Sequence, residues 1–374
     1  MVAMTYVPFD RYAELLRPDF TQEHDEVVRA VEALVTASVE GEGHGRALRD
    51  AHAKSYGLLR ARLSISDDLP AEYAQGIFAA PAQYDAVIRL TNGLGHLRSD
   101  RALGAACGMG IKLFGVPGLS LLDEEKDAGT LDYSFINNPT FFCNTARDYR
   151  YILPLFDSLP DALATPQSRR RYMHDFLTCA GTLPPEQWLW DELLAFLSFA
   201  AVPRKNLLLY SYWSMSSYRH GDYIARLRAT PTPGSASSVA HPNVDVTAED
   251  EPYRRTLVAE TAERDHAYDL QVQLCADLEN NPVDNTAVAW PESIAPFVTV
   301  ARLDIPAQDI SSPSNLEKAD ATSITPWRTR EEHRPLGEIN QLRREVYRRS
   351  SILRHGLNSQ ERREPTSPQD ALTY

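Results

Sequence analysis

Apolar and polar positions alternate in short, separated stretches along much of this chain. Residues 59–66 set Leu59, Ala61, Leu63 and Ile65 against Arg60, Arg62, Ser64 and Ser66. Residues 84–91 put Tyr84, Ala86, Ile88 and Leu90 on one face, with Asp85, Val87, Arg89 and Thr91 on the other. Successive side chains of a strand point to opposite faces, so each stretch predicts a half-buried strand. Further strands are predicted at 109–114, 131–136, 207–215, 222–229, 268–276 and 297–303. That makes about eight, enough to close a barrel.

A second period interrupts the first. Val27, Val28, Val31, Leu34 and Val35 share one face of a helix predicted over about residues 21–40, and the Gly-rich turn Gly41–Gly45 follows. Helices are also predicted at 145–157, 166–180, 188–201 and 338–355. The Pro/Ser-rich stretch 230–243 reads as a long surface loop, because strand signals continue beyond it. From Gly356 the chain is polar, holds two prolines and reads as a mobile tail. There is no internal repeat. Strand runs mixed with separate helical runs predict an α+β fold with an antiparallel sheet.

Composition narrows the function classes. Apolar content of 43% and charged content of 24% are those of a soluble globular protein. The longest apolar run, Leu193–Val202, is too short to span a bilayer. The N-terminal stretch lacks a basic region followed by an apolar one, so no secretory signal is expected. Cys107, Cys143, Cys179 and Cys275 are widely spaced and form no CxxC pair. That argues against a zinc site or a disulfide framework and for a reducing, cytoplasmic location. A net charge of −13 argues against nucleic acid or an anionic membrane as a main partner.

The most informative stretch is His333–His355. At 100° per residue, Arg343, Tyr347 and Arg354 fall within about 40° of one another on a helix. They lie beside the core-facing Ile339, Val346 and Leu353, whereas Arg344, Arg348 and Arg349 point elsewhere. Buried guanidinium groups call for anionic partners. A phenolate at Tyr347 is one such anion, favoured by Arg343 one turn before it. Phenolate is a hard, electron-rich ligand suited to ferric iron. On this helix alone, a tyrosine that merely packs is an equal reading.

Three other segments carry candidate chemistry. Arg49 stands three residues before His52, directly ahead of the first strand; Arg89 and Thr91 share a strand face; and an apolar strand runs into Asn137, Asn138 and Pro139. A lone histidine more often serves structure than chemistry, and asparagines before proline are usually turn formers.

Taken together and in this order, these segments resemble catalases and the smaller catalase-related haem peroxidases. Arg49, His52, Ala53 and Lys54 are similar to the family's distal pattern, an arginine three residues before a His-Ala-(Arg/Lys) turn. Ile88-Arg89-Leu90-Thr91 matches its Val-Arg-Phe-Ser/Thr block, Gly110–Phe114 its Gly-Phe-Ala-Val-Lys-Phe strand, and Asn137–Phe142 its asparagine block. The proximal Arg-x-x-x-Tyr, with another arginine seven residues on, is matched by Arg343, Tyr347 and Arg354. The stretches 212–227 and 287–309 look like barrel strands of the small subgroup, so the resemblance covers roughly residues 45–355.

The resemblance implies an eight-stranded antiparallel barrel with surrounding helices in one domain over 1–374. That domain would comprise a helical arm (1–44), the core (45–355) and the tail. It implies haem b, with Tyr347 as the iron ligand tuned by Arg343, and Arg49, Arg89 and Arg354 on the propionates. Tyr149 would stack near the distal face, ordinary helix packing being an equal reading. His52 would be the acid–base residue, oriented by Thr91, and Asn137 would bond the peroxide. The activity implied is cleavage of a hydroperoxide O–O bond through a ferryl intermediate, with a small organic electron donor. Alternatives are an allene-oxide-synthase-like rearrangement, a biosynthetic haem oxidase and a non-catalytic haem-binding protein. Oligomeric state is left open, a homodimer included.

Some features depart from the family pattern. The asparagine block is one residue shorter than in large catalases, which favours Asn137 over Asn138. Ala51 stands where valine is common, and the arginine of the usual Asp-Pro-Arg-Gly turn is replaced near Cys107. A counterpart of the family's long C-terminal arm or flavodoxin-like domain is not expected from these residues. These departures weaken the expectation of hydrogen-peroxide disproportionation and leave room for a larger substrate.

Overall fold

The computed structural model describes residues 5–13, 22–162 and 164–373. Parts of the expected N-terminal arm, residues 1–4 and 14–21, lie outside the described residues. Among the described residues nine strands form one antiparallel sheet: β1 (Ser55–Ile65), β2 (Gln83–Asn92), β3 (Cys107–Phe114), β4 (Thr130–Ile136), β5 (Tyr212–Trp213), β6 (Tyr218–His220), β7 (Tyr223–Pro231), β8 (His266–Leu274) and β9 (Phe297–Ile305). The order is β5-β4-β3-β2-β1-β9-β8-β7, and β5 pairs again with β7. This closes an eight-stranded barrel, with β6 hairpinned onto β7 outside the ring. The expected α+β fold with an eight-stranded antiparallel barrel is the one observed.

Alternation along each strand decides what lies inside. Tyr84, Ala86, Ile88 and Leu90 of β2, Cys107, Met109, Ile111 and Leu113 of β3, and Leu131, Tyr133 and Phe135 of β4 share the main core. Four large tyrosines, Tyr56, Tyr212, Tyr253 and Tyr268, are fully buried with them. An unpaired buried hydroxyl would cost roughly 1–3 kcal/mol. Tyr56 therefore donates to Asp100 (2.9 Å), and Tyr212 and Tyr268 both donate to the Leu207 carbonyl (2.9 and 3.3 Å).

All eight strands predicted from alternation have counterparts in the ring, with 207–215 reduced to β5 after a 3-10 turn at Leu207–Leu209. Helices at Gln22–Ala37, Ala146–Ala162, Pro166–Thr178, Trp190–Ala200 and Glu338–Leu357 match the predicted ones. The loop at 230–243 holds a short helix, Pro233–Ser238. Helices Pro252–Glu263 and Pro313–Ala321 were not foreseen. The first buries Thr256, Glu260 and Thr261 beside Tyr253 and Leu257, so it shows no clean apolar stripe. The segment from Gly356, expected as a mobile tail, is anchored. Its Pro368–Thr373 helix sets Ala371 among Leu58, Val87, Phe114 and Ala319, and Glu364 reaches buried cations. Among the described residues no helix is long and apolar enough to cross a membrane.

Candidate functional site

The strand face opposite the core carries the candidate site. Register aligns its outward residues in rows: Thr91 with Gly108, then Arg89 with Gly110 and Ser134, then Val87 with Lys112 and Asp132. The first two rows floor a pocket on the outside of the barrel. The segment Thr322–Ile324 and Tyr347, Ser350, Ser351 and Arg354 of the Glu338–Leu357 helix form its other walls, and Arg49–His52 closes it. The structure thus brings His52, Thr91, Arg49, Arg89, Tyr347 and Arg354 to one pocket.

His52 is held in a left-handed conformation (φ 57°), which costs energy for a residue with a Cβ and marks a position fixed by its surroundings. The turn after β2 fixes it: the Gly93 and Leu94 carbonyls accept from the amides of His52 and Ala53. The imidazole Nδ1 lies 2.9 Å from the Asn92 carbonyl and 3.0 Å from Thr91 Oγ1. A carbonyl only accepts, so Nδ1 carries the proton and Nε2 keeps its lone pair. The ring lies on Gly108, where a Cβ would come within 2.5 Å of Cε1 and 2.6 Å of Nδ1. Burial, then the positive field of Arg89, lowers the imidazole to about 4, so it is a neutral base at neutral pH.

Asp50, a residue the sequence reading passed over, lines the same pocket. Burial raises its carboxyl to about 6, against the pull of nearby amides, Arg49 and Arg354. The ordinary order of acidity between a carboxyl and an imidazole is therefore reversed here. Asp50 and His52 keep some accessible surface while lying deep in the protein, because that surface faces the pocket.

One wall is strongly cationic. Arg49 donates to Asp320 Oδ1 (2.6 Å) and to the Asp320 and Thr322 carbonyls (2.6 and 3.1 Å). Arg89 donates to the Ala319 and His52 carbonyls (2.6 and 3.0 Å) and to Ser55 Oγ (2.7 Å). Arg46 shares Asp320 (2.8 Å). Burial works against the Asp320 charge, but Arg49, Arg354, Arg46 and Arg89 together hold it below the usual carboxylate range. Three arginines that line the pocket (49, 89, 354) face two carboxylates (50, 320), an excess of one positive charge. Burial, then Arg49, lowers Arg354 to about 9, and its Nη1 is buried with no hydrogen-bond partner. This wall asks for anionic groups from outside the chain.

On the opposite side Tyr347 Oη accepts from Arg343 Nη2 at 3.1 Å. Arg343 also donates to Asn340 Oδ1 (3.0 Å), and Asn340 fixes the helix by donating to the Ser217 and Leu336 carbonyls. Burial opposes the Arg343 charge, yet the oxygens of Tyr347 and Tyr218 raise it above its ordinary value. Among the described residues no group of three His, Cys, Asp or Glu side chains could hold a metal ion.

Two expected residues are placed elsewhere. Asn137 is not among the residues lining the pocket. Its Oδ1 accepts from the Cys107 amide and its Nδ2 donates to the Ala105 carbonyl, both at 2.8 Å, so it ties the end of β4 to the start of β3. The preference for turn chemistry at an asparagine before proline wins here. Asn138 is similarly engaged with Ser198 and Thr140. Tyr149 packs with Val27, Val28, Val31, Leu342 and Val346, its hydroxyl held neutral by burial, and does not line the pocket. Lys54 is an anchor, donating to buried Asp100 at 2.9 Å. Gly108 and Asp320 were missed: a glycine inside a strand can signal close approach of another group, but Asp320 leaves no such trace.

No protein-family model matches the sequence, and a search of curated proteins finds no relative. Solved structures do match. A fungal catalase superimposes with a TM-score of 0.62 at 14% identity over 91% of this chain, and catalase A from Saccharomyces cerevisiae with 0.61 at 14% over 87%. A bacterial catalase gives 0.56 at 15% over 93%. The chain spans 64%, 66% and 65% of their lengths, less than two thirds in each case. At these identities the likeness is one of architecture, and the chain has the fold of the catalases.

Proposed function

We propose that this chain binds haem b in the pocket and processes hydroperoxides as a small catalase-related peroxidase. The observation that carries the reading is the donor set. A tyrosine backed by a buried arginine shares the pocket with a histidine whose Nε2 is free, beside a wall with a surplus positive charge and an unpartnered Arg354 Nη1. Haem would fit that set, because it carries two carboxylates for the cationic wall and an iron that a single protein donor can hold. Tyr347 would hold the iron, and Arg354, with the field of Arg49 and Arg89, would hold the propionates. When bound, the group supplies the ferric centre at which a peroxide O–O bond is cleaved.

The chain's own residues manage protons. His52 Nε2 takes the proton of an incoming hydroperoxide and returns it to the departing oxygen. Asn92 and Thr91 keep Nδ1 protonated and the ring oriented, so that Nε2 alone exchanges. Burial, with the positive field of Arg89, keeps His52 neutral and its Nε2 lone pair free to accept.

The test is to load the protein with haem and supply hydrogen peroxide or an organic hydroperoxide, with and without an electron donor. Donor oxidation without oxygen release is the expected result. Oxygen evolution would identify a true catalase, and consumption of a lipid hydroperoxide with neither would identify a rearranging enzyme. His52→Ala should keep the haem spectrum and lose turnover; retained turnover would remove His52 from the chemistry.

A further inference from the structure

The C-terminal segment crosses directly behind the pocket wall. At its start, the Asn358 side chain pairs with the backbone of Ala47, accepting at 2.7 Å and donating at 3.0 Å, three residues before the pocket residue Asp50. At its end, Ala371 packs against Val87 and Ala319. Between these anchors Glu364 inserts its carboxylate into the third outward row of the sheet, next to the pocket floor. Oε1 accepts from Lys112 Nζ (2.5 Å) and Thr130 Oγ1 (2.8 Å), and Oε2 lies 3.0 Å from Arg328 Nη2. The Lys112 and Arg328 side chains are both 0% exposed, and the one fully buried carboxylate they share is Asp132. Glu364, with Glu125 on Arg328, supplies the remaining negative charge.

The same charges hold the wall. Arg328 Nη1 donates to the Ser323 carbonyl (3.3 Å), Asp132 Oδ2 accepts from the Thr325 amide (2.9 Å), and the Asp132 amide donates to the Arg328 carbonyl (2.8 Å). Ser323 and Ile324 line the pocket, and Ile324 packs on Gly110, where a Cβ would come within 2.8 Å of it. A continuous set of contacts thus runs from Glu364 through Arg328 and Asp132 to Thr322–Ile324. Arg362 also donates to Glu125 (2.9 Å), so three cations face three carboxylates, and removing the Glu364 charge leaves one cation unbalanced beside the point that fixes this wall.

We propose that Asn358–Thr373 is a strap and that Glu364 is its latch, a positioning residue that sets the pocket wall through Arg328 and Asp132. The latch site takes a carboxylate. With the strap seated the wall is closed on Gly110, and with the latch emptied Thr322–Trp327 moves and the pocket opens. The importance of that opening for catalysis rests on the reading above; the motion itself does not, so the test uses the full chain without cofactor.

Hydrogen exchange is followed by mass spectrometry in the wild type and in Glu364→Ala, with acetate or with chloride at equal ionic strength. Glu364→Ala should speed exchange in Thr322–Trp327 about ten- to hundredfold, the loss expected for hydrogen bonds to charged groups. Exchange in β8, on the far side of the ring, should be unchanged. Acetate should restore the slow rate by filling the emptied site, and chloride should not. If Glu364→Ala does not fold, Glu364→Gln, which keeps the shape, should show the same local increase without acetate rescue. Uniform acceleration throughout the chain would make Glu364 a stability residue only and overturn the proposal. So would unchanged exchange in Thr322–Trp327, or an increase that acetate leaves untouched in Glu364→Ala.

Discussion

Adding one methyl group at Gly108 should disable His52 while leaving the backbone unstrained. Gly108 lies in β3 outside the left-handed region, so alanine is allowed there and by itself would stabilise by about 0.4–1 kcal/mol through the unfolded chain. The new Cβ, however, would stand 2.5 Å from His52 Cε1, 2.6 Å from Nδ1 and 3.0 Å from Thr91 Oγ1. Ordinary contacts need roughly 3.5 Å, so the ring must retreat by about 1 Å. That breaks the 2.9 Å bond from Nδ1 to the Asn92 carbonyl. The lost bond costs about 0.5–1.5 kcal/mol and overpacking about 1–3 kcal/mol; set against that gain, the net loss is roughly 0.5–4 kcal/mol. A catalytic group misplaced by about 1 Å loses on the order of a hundredfold in rate. The assay pairs a urea midpoint with peroxide turnover per bound haem. Gly234→Ala, where a Cβ meets nothing within 4 Å, is the control: it should leave turnover unchanged and raise stability by about 0.4–1 kcal/mol at most. Wild-type turnover in Gly108→Ala would refute the seating of His52 as a catalytic requirement.

Two further predictions separate structure from chemistry. Asn137→Ala leaves the Cys107 amide and the Ala105 carbonyl unpaired, so stability should fall by about 1–3 kcal/mol with turnover per folded, loaded molecule nearly unchanged; a hundredfold loss of turnover would return Asn137 to the reaction. His333 Nε2 accepts from the Ile77 amide, and burial, then His220, lowers it to about 3; burial lowers His220 to about 4. Both lie below the ordinary 6.5, so the unfolded chain takes up protons first. The stability they contribute is fully present above about pH 6.5 and is lost as pH falls toward about 4 and below. Urea midpoints across that range should fall less steeply in His333→Leu, and an unchanged slope would exclude this pair as the cause.

Local spacing explains what could be read in advance. Arg89 and Thr91 share a face because strands alternate, and Arg343 and Tyr347 meet because four residues make about one helical turn. The eight ring strands were legible because each buries one face. Helix Pro252–Glu263 was not, because it buries Thr256, Glu260 and Thr261, and polar burial is invisible until partners are known. The tail misled for the same reason. Its polar composition reads as solvated, yet Glu364 is matched by Lys112 and Arg328, 252 and 36 residues earlier in the chain. Asn137 shows the reverse case, where a motif fits by order while its amide is engaged by neighbouring backbone.

The central claim is that Tyr347 binds ferric iron in a haem pocket, and absorption spectroscopy reaches it most directly. Protein expressed with haem supplied should show a Soret band, and Tyr347→Phe, which removes only the ligating oxygen, should abolish that spectrum or shift it strongly. No Soret absorption in the wild type, or an identical ferric spectrum in Tyr347→Phe, would contradict the assignment.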